Sequence, residues 1–161
     1  MTKKEIFEHL KEKSSIKLFK KADEVRRRYC GDDVYVRGVI EFSNYCVRHC
    51  LYCGLRSENK VLKRYRLTPQ TIIGIASGAA AQGIRTIVLQ SGDDFGYSQK
   101  DIVFIIRGIK KRNSNFAITL AVGERPIDDY KAFFDAGADR YLLKHETSNE
   151  VLYRSLHPAQ T

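Results

Sequence analysis

The sequence lacks the marks of several large protein classes. None of its 161 residues falls in an apolar run of about 18, so no segment reads as a membrane-spanning helix. The opening MTKKEIFEHL is charged and has no apolar signal-peptide core. Cysteine is scarce, at four residues, and three of the four crowd together, which is not the pattern of a secreted disulfide framework. The expected compartment is therefore the cytoplasm, and no membrane partner is expected. Acidic residues are in deficit, 19 against 28 Lys and Arg, for a net charge of +9. The basic residues form no single block: Lys3/Lys4, Lys20/Lys21, residues 26–28, Lys63/Arg64 and residues 110–112 lie apart. Glu5, Glu8, Glu12, Asp23 and Glu24 are interspersed with the first of these, so the excess reads as a solvated helix face. No nucleic-acid-binding motif accompanies the charge, and nucleic acid is not an expected partner. Nor is the chain of disordered composition, with 43% hydrophobic and 29% charged residues.

What is present is a helical preface and then a repeat. Residues 3–29 read as two short helices broken near Ser14 and Ser15, with Ile6, Leu10, Ile16, Phe19 and Val25 as apolar anchors. Gly31, Asp32 and Asp33 form a turn signal that ends a helical segment 1–33. Beyond it, residues 36–42 are rich in strand formers, and a cysteine loop follows. TPQTIIGIASGAAAQG reads as a helix with Thr68 as N-cap, Pro69 in its first turn and Gly83 closing it. Strands are expected at 84–90, 116–122 and 139–144. Helices are expected at 98–112, capped by Ser98, at 126–136, ending at Gly137, and from 149 to 155.

Four β-α units in succession argue for a parallel sheet with crossover helices. They fit half of an eightfold β/α barrel or a small doubly wound sheet. No dinucleotide glycine fingerprint follows the first strand, which favours the barrel. So do the strand ends, which carry Ser43, Asn44, Tyr45 and Cys46, then residues 90–94, then Gly123, Glu124 and Arg125, then His145, Glu146 and Thr147. The opposite loops, AAQG and DAGA, are small and bland. The active mouth is therefore expected on the cysteine side. The chain stops soon after the fourth unit, and a half barrel leaves two strand edges and one sheet face uncovered. Residues 34–161 are thus expected to be the first part of a barrel in a longer enzyme, with an independent small domain as the alternative.

The cysteine loop reads Cys46-Val-Arg-His-Cys50-Leu-Tyr-Cys53, with spacing C-x3-C-x2-C. Three thiolates in one tight loop can hold three irons of a [4Fe–4S] cluster and leave the fourth open to a small molecule. Full cysteine ligation is the electron-transfer arrangement, so an open iron points to chemistry at the cluster. A zinc knot is the alternative, but zinc takes four ligands and no second cysteine pair follows. Unliganded core cysteines are a further alternative. Cys30, outside the loop, reads as an ordinary thiol.

C-x3-C-x-aromatic-C after the first strand of a β/α barrel resembles the radical S-adenosylmethionine (SAM) superfamily. RGVIEFSNYC, CLYCGLR, RYRLTP, TIVLQSGDD, AGADRYLLKHET and LHP, in that order, are similar to the [FeFe]-hydrogenase H-cluster maturases of the HydE type, relatives of biotin synthase and methylornithine synthase. The resemblance runs from about Val34 to Pro158 and covers about the first half of a typical member. It implies an α/β fold, the N-terminal half of a radical SAM TIM-type barrel preceded by a short helical segment.

The resemblance also implies roles. Cys46, Cys50 and Cys53 are the cluster ligands, and Tyr52 lies beside the adenine of SAM. Ser91 and Gly92 offer backbone groups to the SAM amino group. Asp93 stands where members usually have Glu, which leaves its side-chain role open. Glu146 and Glu124 are further SAM contacts. Each has a plainer reading: Ser91-Gly92 as a simple turn, Glu146 as a cap of the last helix, His145 as a core or supporting histidine, Tyr45 and Tyr65 as packing residues, and Arg56 as a surface salt-bridge partner. The implied reaction is reductive cleavage of SAM to methionine and a 5′-deoxyadenosyl radical, in assembly of the diiron subcluster of the hydrogenase. The implied partners are a small organometallic or sulfur-containing substrate, an electron donor such as flavodoxin or ferredoxin, and other hydrogenase maturases. A methylornithine-synthase-like or biotin-synthase-like enzyme is the related alternative. A zinc-stabilised basic module binding nucleic acid is the alternative outside enzymes.

Overall fold

The structure is a computed structural model that describes residues 2–158. Residues 159–161 of the expected barrel segment and Met1 of the helical segment lie outside the described residues. The chain divides into two compact units, one ending at Tyr35 and the other beginning at Val36. Among the described residues no helix is long and apolar enough to cross a membrane.

The first unit holds α1 (Lys3–Lys11) and α2 (Ile16–Cys30). Thr2 and Glu5 form a reciprocal capping box that satisfies two of the orphan N–H groups of α1. Ser14 and Ser15 lie in the break between the helices. The expected apolar anchors are not buried: no residue of α1 or α2 is, and Leu10, Ile16 and Phe19 are exposed. Two short helices enclose no interior of their own.

The second unit runs β1 (Gly38–Ser43), α3 (Pro69–Ala81), β2 (Thr86–Ser91), α4 (Gln99–Arg112), β3 (Ala117–Ala121), α5 (Ile127–Ala136), β4 (Arg140–Tyr141) and α6 (Glu150–Leu156). All pairings are parallel, and the strand order β1-β2-β3-β4 follows the chain. A doubly wound sheet reverses its strand order and carries helices on both faces. Here there is no reversal, and α3, α4 and α5 all contribute to one core. Ile40, Phe42, Ile87, Leu89, Ile118 and Leu120 project from alternate strand positions into that core. They meet Ile72, Ile73 and Ala76 of α3, Ile102, Ile105, Ile106 and Ile109 of α4, and Phe133 of α5. Burying each isoleucine of α4 contributes about 1.5–3 kcal/mol. On the other face Val39 and Glu41 are exposed.

The helices begin where their caps dictate. Thr68 accepts from the Thr71 N–H with Pro69 in the first turn, and Ser98 and Asp101 cap each other reciprocally. The fourth strand is shorter than its expected span of 139–144. It pairs with β3 alone, and Leu142 N–H to the Leu120 carbonyl (2.8 Å) is its last bond to the sheet. Beyond that, residues 142–146 are exposed. His145 is among them, so it is neither a core nor a buried supporting histidine.

Candidate functional site

Every strand of a parallel sheet ends on the same side, so the loops after β1, β2, β3 and β4 gather at one mouth. The cysteine loop after β1 is pinned there from both ends. Asn44, buried, accepts from the Tyr65 N–H (2.7 Å) and donates to the Lys63 carbonyl (2.9 Å). Arg64 donates to the carbonyls of Asn44, Leu55 (2.9 Å) and Arg56 (2.8 Å), gathering the far end of the loop around one guanidinium. Arg56 makes a hydrogen bond to the Cys53 carbonyl (3.2 Å) rather than the expected salt bridge.

A second anchor is buried beneath the loop. Asp94, 2% exposed, takes both nitrogens of the Arg66 fork at 2.7 Å and the Ser43 hydroxyl at 2.5 Å. Burial pushes the Asp94 carboxyl up, but Arg66, Ser43 and the Gly96 N–H outweigh it and hold it below the usual carboxylate range. Arg66 also lies 3.7 Å from the ring centre of Tyr45.

The loop after β2 interlocks with the cysteine loop. A Cβ at Gly92 would collide with the Tyr45 carbonyl oxygen and stand 2.6 Å from Cys46 Cβ, so only glycine fits. Val47 N–H bonds the Asp93 carbonyl at 3.1 Å. The Asp93 carboxylate receives Arg48 Nε at 2.6 Å, and the same guanidinium reaches Glu124, after β3, at 2.8 Å. Gly123, at φ 77°, packs directly on the Asp93 carboxylate where no Cβ could stand.

On the opposite flank α6 meets the loop. Leu51 N–H bonds the Leu156 carbonyl (3.0 Å), and the Tyr52 hydroxyl lies 3.0 Å from Nε2 of buried His157. His157 Nδ1 faces the Tyr153 carbonyl at 2.9 Å. A carbonyl only accepts, so Nδ1 carries the proton and Nε2 accepts from Tyr52. Partial burial, then Glu146 and Cys50, push the Tyr52 phenol above its usual range, which keeps it a donor. The cap of α6 is Asn149 and not Glu146. Glu146 itself sits in the left-handed region at φ 63°.

All nine expected site residues line one cavity of about 240 Å³: Cys46, Cys50, Cys53, Tyr52, Ser91, Gly92, Asp93, Glu124 and Glu146. Arg48, Lys144 and His157 line it as well and were not among them. Arg48 could have been suspected from a lone cation inside a cysteine loop opposite two acidic strand ends. His157 lies in LHP, one of the motifs of the resemblance, but was given no role there.

The residues fit an iron–sulfur cluster. None of the four cysteines is in a disulfide, and the three of the loop are partly exposed at the cavity wall. Cys46 Sγ accepts from the Arg48 N–H and Cys53 Sγ from the Leu55 N–H, each at 3.4 Å, which orients both sulfurs within the loop. Among the described residues no three His, Cys, Asp or Glu side chains converge to hold one ion. Thiolates that each take a separate iron have no need to converge.

The β/α half-circle with its cysteine loop at the strand ends defines a class. Residues 40–161 match the Radical SAM superfamily, and the chain belongs to it. It is 55% identical over 141 residues to the [FeFe] hydrogenase maturase subunit HydE of Thermotoga maritima, across 88% of this chain and 40% of that protein. It is 27% identical over 146 residues to 3-methylornithine synthase of Methanosarcina acetivorans, across 90% of this chain and 41% of that one. Among solved structures, methylornithine synthase (PylB) superposes with a TM-score of 0.84 at 27% identity, covering 90% of this chain and 43% of its own. The FeFe-hydrogenase maturase HydG of Carboxydothermus hydrogenoformans gives 0.79 at 26% identity, covering 87% and 33%. The four units thus correspond to the N-terminal part of a radical SAM TIM-type barrel. The chain spans about two-fifths of the length of the curated relatives it matches.

Proposed function

We propose that this chain carries the cofactor half of a radical SAM enzyme of the HydE type, acting in the cytoplasm on assembly of the diiron subcluster of [FeFe]-hydrogenase. The observation that carries the reading is the set of three cysteines, spaced C-x3-C-x2-C, at the wall of a cavity in a chain 55% identical to a HydE maturase. Cys46, Cys50 and Cys53 would hold a [4Fe–4S] cluster. When bound, that cluster supplies the electron that splits the sulfonium of SAM, and the protein binds, orients and shields the reactants.

The remaining wall residues divide that work. Tyr52, held by His157, would lie beside the adenine. Ser91 and Gly92 present backbone groups to the amino end of SAM, where the glycine lets the two loops approach. Asp93, Glu124 and Glu146 would be further SAM contacts, the first two already paired with Arg48. The substrate is a small organometallic or sulfur-containing molecule, the electron donor a flavodoxin or ferredoxin, and the partners other maturases. A methylornithine-synthase-like activity is the second reading, favoured by the TM-score of 0.84. Substrate assays separate the two.

The test is anaerobic reconstitution with iron and sulfide, followed by EPR of the reduced protein with and without SAM. A [4Fe–4S] signal that shifts on SAM addition, and is lost in Cys46→Ala, Cys50→Ala and Cys53→Ala but kept in Cys30→Ala, supports the reading. Retained zinc with salt-sensitive nucleic-acid binding overturns it.

A further inference from the structure

We propose that Arg48 is a positioning residue: it clasps the cysteine loop to the ends of β2 and β3 through Asp93 and Glu124 and so sets the spacing of the thiols. The proposal rests on the cluster reading above for its purpose, but not for its geometry.

Arg48 lies between Cys46 and Cys50, so any displacement of its backbone moves both thiols. Its guanidinium contacts two carboxylates 45 and 76 residues away, one from each of the next two strand ends. The two arms differ. The Asp93 arm is short, at 2.6 Å, and its partners are only 27% and 16% exposed, so water competes weakly for it. The bond to Asp93 raises the Arg48 guanidinium above its ordinary value, against the smaller opposing effect of burial. The Glu124 arm ends on a carboxylate that is 67% exposed and contributes little by comparison.

The clasp does not act alone. Val47 N–H to the Asp93 carbonyl ties the same two loops through their backbones, and Gly92 brings them into contact. These fix where the loops meet. The segment after Val47 is held as well by Ser57 N–H on the Arg48 carbonyl (2.8 Å) and Leu51 N–H on the Leu156 carbonyl (3.0 Å), but neither bond reaches the ends of β2 and β3. Arg48 is the side chain that ties this segment to the strand ends, because it bonds from the residue after Val47 back onto the carboxylate of the same Asp93. At the far end of the loop Arg64 performs the corresponding task through backbone carbonyls. Cys46 and Cys50 flank Arg48, whereas Cys53 lies beside Leu55 and Arg56, which Arg64 gathers.

The test compares Arg48→Ala, Arg48→Lys, Asp93→Asn, Glu124→Gln and the double variant Arg48→Ala/Asp93→Asn in reduced, cluster-free protein. Alkylation rates of individual cysteines by iodoacetamide are read by mass spectrometry, with amide hydrogen exchange of α4 as the measure of global opening. Arg48→Ala is expected to raise alkylation of Cys46 and Cys50 about tenfold, the scale of a lost charged hydrogen bond, with Cys53 and α4 unchanged. Arg48→Lys is expected to stay within about threefold of the wild type and Glu124→Gln within about twofold. The double variant is expected to be no faster than Arg48→Ala alone, since the pair acts as one unit. Alkylation of Arg48→Ala within twofold of the wild type overturns the proposal. So does an equal rise at Cys53 and α4, or effects of Arg48→Ala and Asp93→Asn that multiply in the double. Should Arg48→Ala fail to fold, Arg48→Lys and Asp93→Asn decide by the same readout. Wild-type protein that assembles no cluster, or whose EPR signal ignores SAM, defeats the cofactor reading instead and leaves these alkylation ratios to decide the clasp.

Discussion

Replacing Gly92 by alanine adds one methyl group at the place where the two loops touch. The new Cβ would overlap the Tyr45 carbonyl oxygen and lie 2.6 Å from Cys46 Cβ and 3.1 Å from Cys46 Cα. These are backbone or backbone-proximal atoms, so no flexible side chain can turn aside. Overpacking of this kind costs about 1–3 kcal/mol. If the loops separate to relieve it, iron retention falls by the matching factor, about 5- to 150-fold. If they stay together, the cluster-free protein loses stability, and its midpoint falls by about 2–4 °C for each kcal/mol. Chelator competition after reconstitution measures the first and thermal unfolding the second. Gly78→Ala is the control: it lies within α3 with nothing within 4 Å of its Cβ, and should stabilise by about 0.5–1 kcal/mol. A Gly92→Ala protein with wild-type iron retention and wild-type midpoint would refute the interlocked-loop geometry.

Asp94→Asn should cost about 2–3 kcal/mol by breaking the Arg66 fork, measured by urea unfolding at pH 7. Because the folded Asp94 carboxyl is held below its unfolded value, its contribution is complete above about pH 4 and is lost as pH falls through the folded value. The gap between wild type and Asp94→Asn should therefore close in acid, and a gap unchanged down to pH 2 counts against the pairing. Tyr52→Phe removes the only donor shown for Nε2 of His157, and the stranded buried nitrogen should cost about 1–3 kcal/mol. Amide exchange in α6 should rise accordingly, and unchanged exchange there would show that the contact does not hold α6 to the cysteine loop.

Local signals in the chain mapped onto local structure. The caps at Thr68 and Ser98 start α3 and α4, and the isoleucine spacing at 102, 105, 106 and 109 marks the buried face of α4. The cysteine spacing is equally local, and all nine expected site residues line one cavity. What escaped were pairings across the fold. Arg48 finds Asp93 and Glu124, and Tyr52 finds His157 105 residues away, only once the strand ends converge. The two adjacent aspartates show the same limit. They read as one acidic stretch, yet Asp93 faces the cavity and Arg48, whereas Asp94 turns inward to Arg66 and Ser43. The length of β4 was also invisible in composition: 139–144 has strand-forming residues, but only Arg140 and Tyr141 pair with β3.

The one-way run of the strands also dictates how the molecule can be handled. Ser114 and Asn115 are exposed and lead into β3, at the end of the sheet away from the cysteine loop. Five residues of strand separate the two ends by roughly 16 Å. A dye, a tether or an electrode linker fixed at Ser114 therefore points away from the cavity and leaves its mouth open. Such a linker presents the thiol side to solution.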